Sequence, residues 1–194
     1  MTAYPTPAGT AEAEIKEKGS RFLAVIGPAA DEEAAKGALA ALERQYPDAT
    51  HHCWAWRVGA PPRERSSDAG EPAGTAGMPI LHVLRGAGLS DAVAVVVRWF
   101  GGTKLGKGGL ARAYSAAARA ALGALPVLTR VPTVQLVLNV PYERVGAVKR
   151  LIHPPQVELA AEEYCNEARL VLAVHEERQA GLREALADLG IALT

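Results

Sequence analysis

Within fifteen consecutive positions the chain carries Arg98, Gly101, Gly102, Lys104, Gly106, Lys107, Gly108, Gly109 and Arg112. Glycines let backbone N–H groups face a ligand with no Cβ in the way. A helix N-terminus adds unpaired amides and partial positive charge, and basic side chains add full charges. A strand, this loop and a following helix would form a cradle for phosphate, with Arg98, Lys104, Lys107 and Arg112 as its cations. It is not a Walker A loop, because no GxxxxGK[ST] occurs. It is not a dinucleotide fingerprint either, which needs its first glycine right after the strand. The same glycines would also suit close helix–sheet packing, with the lysines merely solvated.

A second glycine-rich stretch, from Asp68 to Pro79, contains Asp68, Glu71 and Thr75. Two carboxylates in a tight loop can hold Mg²⁺ or act in acid–base chemistry. Asp and Thr in such loops more often accept backbone N–H bonds as turn and cap residues. Either carboxylate could also pair with Arg98, Lys104 or Lys107. In His51-His52-Cys53 the two-residue period of a strand puts His51 and Cys53 on one face. Two ligands are too few for zinc, and no thiol-protease signature surrounds them. A buried Cys53 beside one hydrogen-bonded histidine is the simpler reading. There is no GxSxG, HExxH or kinase-type motif, and His82, His153 and His175 are isolated. No catalytic residue, metal or cofactor is expected.

These groups need elements to position them. Strands are predicted over Ser20–Gly27, Thr50–Val58 and Ala92–Phe100, the last an apolar run suited to a central, doubly covered strand. Helices are predicted over Asp31–Tyr46, with Asp31 as N-cap, over Met78–Arg85 and over Gly109–Leu122. Gly59–Gly77 reads as mostly loop and Gly123–Pro132 as a connector. Beyond it a strand (Thr133–Val140), a helix (Tyr142–Ile152), two strands (Val157–Tyr164, Ala168–His175) and a helix (Glu177–Leu189) follow. That β-α-β-β-α order is a ferredoxin-like split unit, closed by a short strand at Ile191–Leu193. The expectation is an α+β protein with domains over residues 1–128 and 129–194.

With 194 residues, 49% hydrophobic and 22% charged, the composition is globular rather than disordered. The apolar run Ala92–Val97 is far short of the roughly 20 residues a membrane helix needs. Met1–Ala13 lacks the basic and apolar regions of a signal peptide. Cys53 and Cys165 make no disulfide framework, so a cytoplasmic location is expected. The net charge of zero hides an asymmetry. Residues 1–91 balance at −3 and residues 143–194 at −3, whereas residues 92–142 hold Arg98, Lys104, Lys107, Arg112, Arg119 and Arg130 with no acid. A basic block can attract an anion locally while the molecule stays neutral.

The motifs together resemble those of the IMPACT (YigZ-like) family. The matching pieces are Glu14-Ile15-Lys16, Ser20-Arg21-Phe22, Ala49-Thr50-His51-His52-Cys53, the loop from Asp68 through Gly70-Glu71-Pro72 and Gly74-Thr75-Ala76-Gly77 to Pro79-Ile80-Leu81, and the segment Arg98–Tyr114. The resemblance spans about residues 12–122 and extends more weakly over 130–192. Ala69 stands where the family usually has a second Asp, and Thr103 where Ile is usual. The first departure removes any metal site that needs adjacent aspartates. The resemblance implies an N-terminal domain similar to the ribosomal S5 domain 2-like fold. It also implies a ferredoxin-like C-terminal domain like the last domain of translocating elongation factors. It further implies an association with translational regulation; the eukaryotic branch acts in amino-acid starvation by competing for the activator of the general control kinase.

The function expected is that of a translation-associated regulatory protein binding RNA or a ribosomal site through the basic loop. Its phosphate contacts would be Arg98, Gly101, Gly102, Lys104, Gly106, Lys107, Gly108, Gly109 and Arg112, with His51, Asp68, Glu71 and Thr75 as a supporting loop. A translation factor is a further possible partner, and neither a membrane nor DNA is expected. Two other readings use the same residues. One is an enzyme acting on a phosphorylated small molecule or nucleotide with Asp68, Glu71 or His51 as base; the other is a protein–protein module. Trp99, Phe100 and Tyr114 could stack on bases if exposed, although the core is the commoner place for aromatics.

Overall fold

The computed structural model describes residues 3–192. The chain divides into two compact units, Tyr4–Arg130 and the residues from Val131 onward. The first contains β1 (Tyr4–Pro7), β2 (Ala11–Glu17), β3 (Ser20–Pro28), α1 (Glu32–Gln45), β4 (His51–Val58), β5 (Arg63–Ser67), α2 (Gly77–Gly86), β6 (Ala92–Trp99), α3 (Gly106–Gly123) and β7 (Val127–Arg130). The second contains β8 (Thr133–Val140), α4 (Tyr142–Lys149), β9 (Val157–Tyr164), β10 (Ala168–His175) and α5 (Gln179–Asp188). The fold class is α+β, as the sequence patterns imply. Among the described residues no helix is long and apolar enough to cross a membrane.

In the first unit an antiparallel sheet has the order β2-β3-β6-β4-β5, with β6 at its centre. Alternate residues of each strand serve opposite faces. Phe22, Ala24, Ile26, Cys53, Ala55, Ala94 and Val96 pack under α2 and α3. Leu23, Trp56, Val93, Val95 and Val97 pack under α1. Because both faces of β6 are covered, its sequence shows no polar alternation. Helix α3 buries Leu110, Ala113, Tyr114, Ala117, Ala118 and Ala121 at helical spacing, and the small side chains let it lie close to β2 and β3. Asp31 caps α1, its carboxylate accepting the Ala34 N–H at 2.8 Å.

Two expectations need correction, whereas residues 59–77 are mostly loop as expected and also hold one short strand, β5. Its sequence, Arg63 to Ser67, has no apolar residue, and as an edge strand it is held by ladder bonds to β4 and by ion pairs of Glu64 with Arg57 and Arg85. The connector contains β7, which pairs with β1 across the whole unit, a contact no local pattern announces. Helix α3 begins at Gly106 rather than Gly109, so Lys107 and Gly108 lie in its first turn.

The second unit is an antiparallel sheet of order β8-β10-β9. Strands β8 and β9 are therefore parallel to each other, joined through α4, with β10 between them: the split βαβ arrangement. Leu136, Leu138, Val140, Leu170, Leu172 and Val174 form its core with Val148 of α4 and Leu182 and Leu186 of α5. Of the expected closing strand, Ile191 and Ala192 are irregular, and Leu193 lies outside the described residues.

Candidate functional site

Strand register gathers the motifs at one end of the five-stranded sheet. Arg98 pairs with Phe22 on one side and His51 on the other, and Ser67 pairs with Trp54. The β2–β3 turn at Lys18–Gly19, the loop after β5 (residues 68–76) and the loop after β6 (residues 100–105) therefore share that end.

The structure divides the predicted phosphate contacts. Arg98 follows Ala92, Ala94 and Val96 on the face covered by α3, and its side chain is only 6% exposed. Its Nη1 donates to Glu71 Oε1, its Nη2 lies 3.3 Å from Ser20 Oγ, and its guanidinium lies 5.2 Å from the Phe22 ring centre. Arg98 is thus not an external phosphate contact: the period of the strand turns it inward and a carboxylate neutralises it. Glu71 Oε1 also accepts the Tyr114 hydroxyl at 2.8 Å, and His51 Nε2 lies 4.0 Å away. His51 Nδ1 is 2.9 Å from the Ala69 carbonyl oxygen. The Asp68 carboxylate accepts the N–H groups of Gly74, Ala76 and Gly77 at 2.8–2.9 Å, capping α2 from a distance. Burial alone would raise its pKa; those backbone donors outweigh it and hold the group below the usual carboxylate range. Thr75 is buried and donates to the Pro72 carbonyl at 2.7 Å. His51, Asp68, Glu71 and Thr75 are thus brought together, with His51 Nδ1, both Asp68 oxygens, Glu71 Oε1 and Thr75 Oγ1 engaged internally. Among the described residues no three His, Cys, Asp or Glu side chains could hold a metal ion together.

Cys53 lies in the same network, its Sγ 2.9 Å from the Asp68 carbonyl oxygen and 3.3 Å from the Tyr114 hydroxyl. Burial pushes its thiol up to about 12, against the opposing effect of its hydrogen bond with the Tyr114 hydroxyl, with the charges of Glu71 and Asp68 adding to the rise. Cys165 is exposed. Titration of the native protein with a disulfide reagent at pH 8 should therefore release one equivalent of thiol quickly and the second only in denaturant. Two fast equivalents would show that this network opens readily.

The remaining cations face solvent. Lys104, Lys107 and Arg112 are exposed, and among the described residues none has a carboxylate in ion-pair contact. The N-terminus of α3 has no side-chain cap and no acid in its first turn. Arg119 is exposed farther along α3, and Arg130 is paired with Asp91 at 2.6 Å, so neither joins the loop. Lys18, which sequence reasoning passed over, does join it. This exposed residue stands at φ +46° in the β2–β3 turn and lines a pocket of about 290 Å³ with Leu105, Gly109, Arg112 and the carboxylate-bearing Glu17. A Lys-Gly pair between two alternating segments is a hairpin signal, and it was the available clue.

The glycines serve two purposes. Gly102 and Gly106 have φ of +86° and +68°, and a Cβ on either would meet nothing, so they set backbone path and leave open surface. A Cβ on Gly101 would come within 1.9 Å of the Gly19 carbonyl carbon. Gly101→Ala is expected to force the two loops apart and cost roughly 2–4 kcal/mol, read as a lower denaturation midpoint. A wild-type midpoint would mean that this contact does not hold the loop. Gly101 N–H also bonds to Ser20 Oγ at 3.1 Å and Phe100 N–H to Thr50 Oγ1 at 3.0 Å, so the segment enters the loop on fixed backbone.

Residues 18–122, which span the whole of this site, match the model of the Impact N-terminal domain. The chain is 34% identical over 191 residues to "IMPACT family member YigZ" of Escherichia coli (strain K12), covering 97% of this chain and 94% of that protein. It is 44% identical over 172 residues to "IMPACT family member in pol 5'region" of Thermus thermophilus, covering 88% of this chain and 93% of that one. A solved crystal structure of "an hypothetical protein" superposes with a TM-score of 0.76 at 33% identity, over 100% of this chain and 97% of that one.

Proposed function

Because this chain belongs to the IMPACT family, we propose that it is a translation-associated regulatory protein that binds RNA, free or at a ribosomal site, through its basic glycine-rich loop. The translational part rests on the association that the family carries. The RNA part rests on one observation: Lys18, Lys104, Lys107 and Arg112 are exposed and, among the described residues, without ion-pair partners, around an uncapped helix N-terminus. Glu17 is the one acid lining the pocket beside them, so the local balance stays positive. Catalysis on a phosphorylated small molecule has less support, since Asp68 and Glu71 are already committed to backbone amides and to Arg98 and Tyr114.

If four cations neutralise four phosphates, the log–log salt slope lies between about −2.8 and −3.6. Affinity then falls about 50- to 150-fold between 50 and 200 mM salt. A fluorescence titration against labelled RNA tests this, and no measurable affinity at 50 mM salt would overturn the reading. Co-sedimentation with ribosomal subunits across the same series reports on the ribosomal site. Pull-down from nuclease-treated lysate separates the reading from docking of a translation factor, because RNA-dependent partners disappear.

A further inference from the structure

Three aromatic residues belong to the motif that leads into and follows the basic loop, and they have different fates. Tyr114 is fully buried in the Glu71 network, with Phe22 edge-on at 5.1 Å. Trp99 is occupied on the opposite face of the sheet: Arg21 lies 4.5 Å over its ring, Tyr46 meets it edge-on at 5.5 Å, and its Nε1 donates to Asp48. Phe100 is 48% exposed. The Arg98 guanidinium lies 5.6 Å from its ring centre.

Packing against Arg98 uses one side of the ring and gives no reason for the exposure of the other. Burying a phenylalanine stabilises a fold by roughly 1.5–3 kcal/mol, and this one leaves much of that unrealised. Nor does the backbone beneath it need the ring. Phe100 N–H is held by Thr50 Oγ1, Thr50 N–H by the Arg98 carbonyl at 2.7 Å, and Gly101 N–H by Ser20 Oγ. The ring is therefore carried on a fixed support at the mouth of the basic loop. Lys104 is four residues farther on, within about 14 Å even for a fully extended chain.

We propose that Phe100 is a stacking platform for an unpaired nucleobase, so that the RNA held by this loop is single-stranded where it crosses the end of β6. This rests on the RNA reading given above and specifies the class of RNA. An exposed aromatic face beside a cationic track is the arrangement by which single strands are bound without sequence preference, since every base offers a π-face. Bases inside a duplex are already stacked and cannot use it. The exposed cations beside the ring, unpaired among the described residues, favour a polyanion over an apolar protein surface as its neighbour.

The probes are a fluorescein-labelled uridine 12-mer and a 12-base-pair A·U duplex, titrated against the full chain at 100 mM salt. Phe100→Leu is expected to weaken the single strand roughly five- to 150-fold, to change the duplex by less than twofold, and to leave the salt slope unaltered, because no charge is removed. Phe100→Trp should restore or exceed wild-type affinity for the single strand. Tryptophan fluorescence and the denaturation midpoint check that each variant is folded. Unchanged single-strand affinity in folded Phe100→Leu, with affinity lost in Lys104→Ala/Lys107→Ala, would overturn stacking and leave the RNA reading standing. Equal weakening of single strand and duplex would also overturn it, since the ring would then act only through loop shape. Failure of the wild-type chain to bind either probe would overturn the RNA reading itself.

Discussion

Glu71→Ala is expected to destabilise the Tyr4–Arg130 unit by about 3–5 kcal/mol. Removing one member of a buried ion pair leaves the other charge without compensation in a medium that solvates it poorly. Here the orphan would be Arg98, whose side chain is 6% exposed and whose Nε already has no hydrogen-bond partner among the described residues. The Tyr114 hydroxyl would lose its acceptor as well. All three tryptophans, Trp54, Trp56 and Trp99, belong to this unit, so fluorescence-detected urea unfolding reports on it directly. The midpoint should fall with little change in slope. Replacing the pair together, Glu71→Leu with Arg98→Met, should recover much of the loss, because two apolar side chains leave no unpaired charge. A loss below about 1 kcal/mol in Glu71→Ala would mean that Glu71 is not a structural member of the pair, and catalytic use of the carboxylate would come back into view.

Lys104→Ala/Lys107→Ala should have the opposite signature. Both side chains are exposed and make no ion pair among the described residues, so the denaturation midpoint should stay within about 0.5 kcal/mol of wild type. RNA affinity should fall roughly 25- to 60-fold at 0.1 M salt, and the salt slope should flatten by about 1.4 to 1.8 units, one counterion release for each lysine. Arg98→Met would behave the other way, losing stability and leaving the slope alone in whatever fraction stays folded. An unaltered slope in the lysine double variant would remove these two residues from the phosphate contacts. The four basic residues of the original motif thus fall into two classes distinguishable by two measurements.

Elements with strong internal periodicity were legible from the residues. The span of β6 follows from an unbroken apolar run, that of α1 from Asp31 and its helical spacing, and those of β8, β9 and β10 from their alternation. Strands β1, β5 and β7 were not predicted, because short polar or exposed edge strands are stabilised by their partners rather than by their own composition; β2 was missed as well, although Ala11, Ala13 and Ile15 alternate with charged residues there. Lys18 and Phe100 are similar cases: their types were plain to see, and their exposure was not.

The amino-acid order by itself determined the family, the α+β class and the chemistry available in each loop. The two-residue offset from Val96 puts Arg98 on the same face of β6, but with both faces of that strand covered the offset did not say that its guanidinium would be buried. Only the tertiary structure decided which charges remain free. That outcome depends on whether the Asp68–Gly77 loop folds back over the end of the sheet and brings Glu71, 27 residues earlier in the chain, onto Arg98. Coulombic pairing in a poorly solvating interior acts through distances of a few ångströms, and chain separation carries almost no information about those distances.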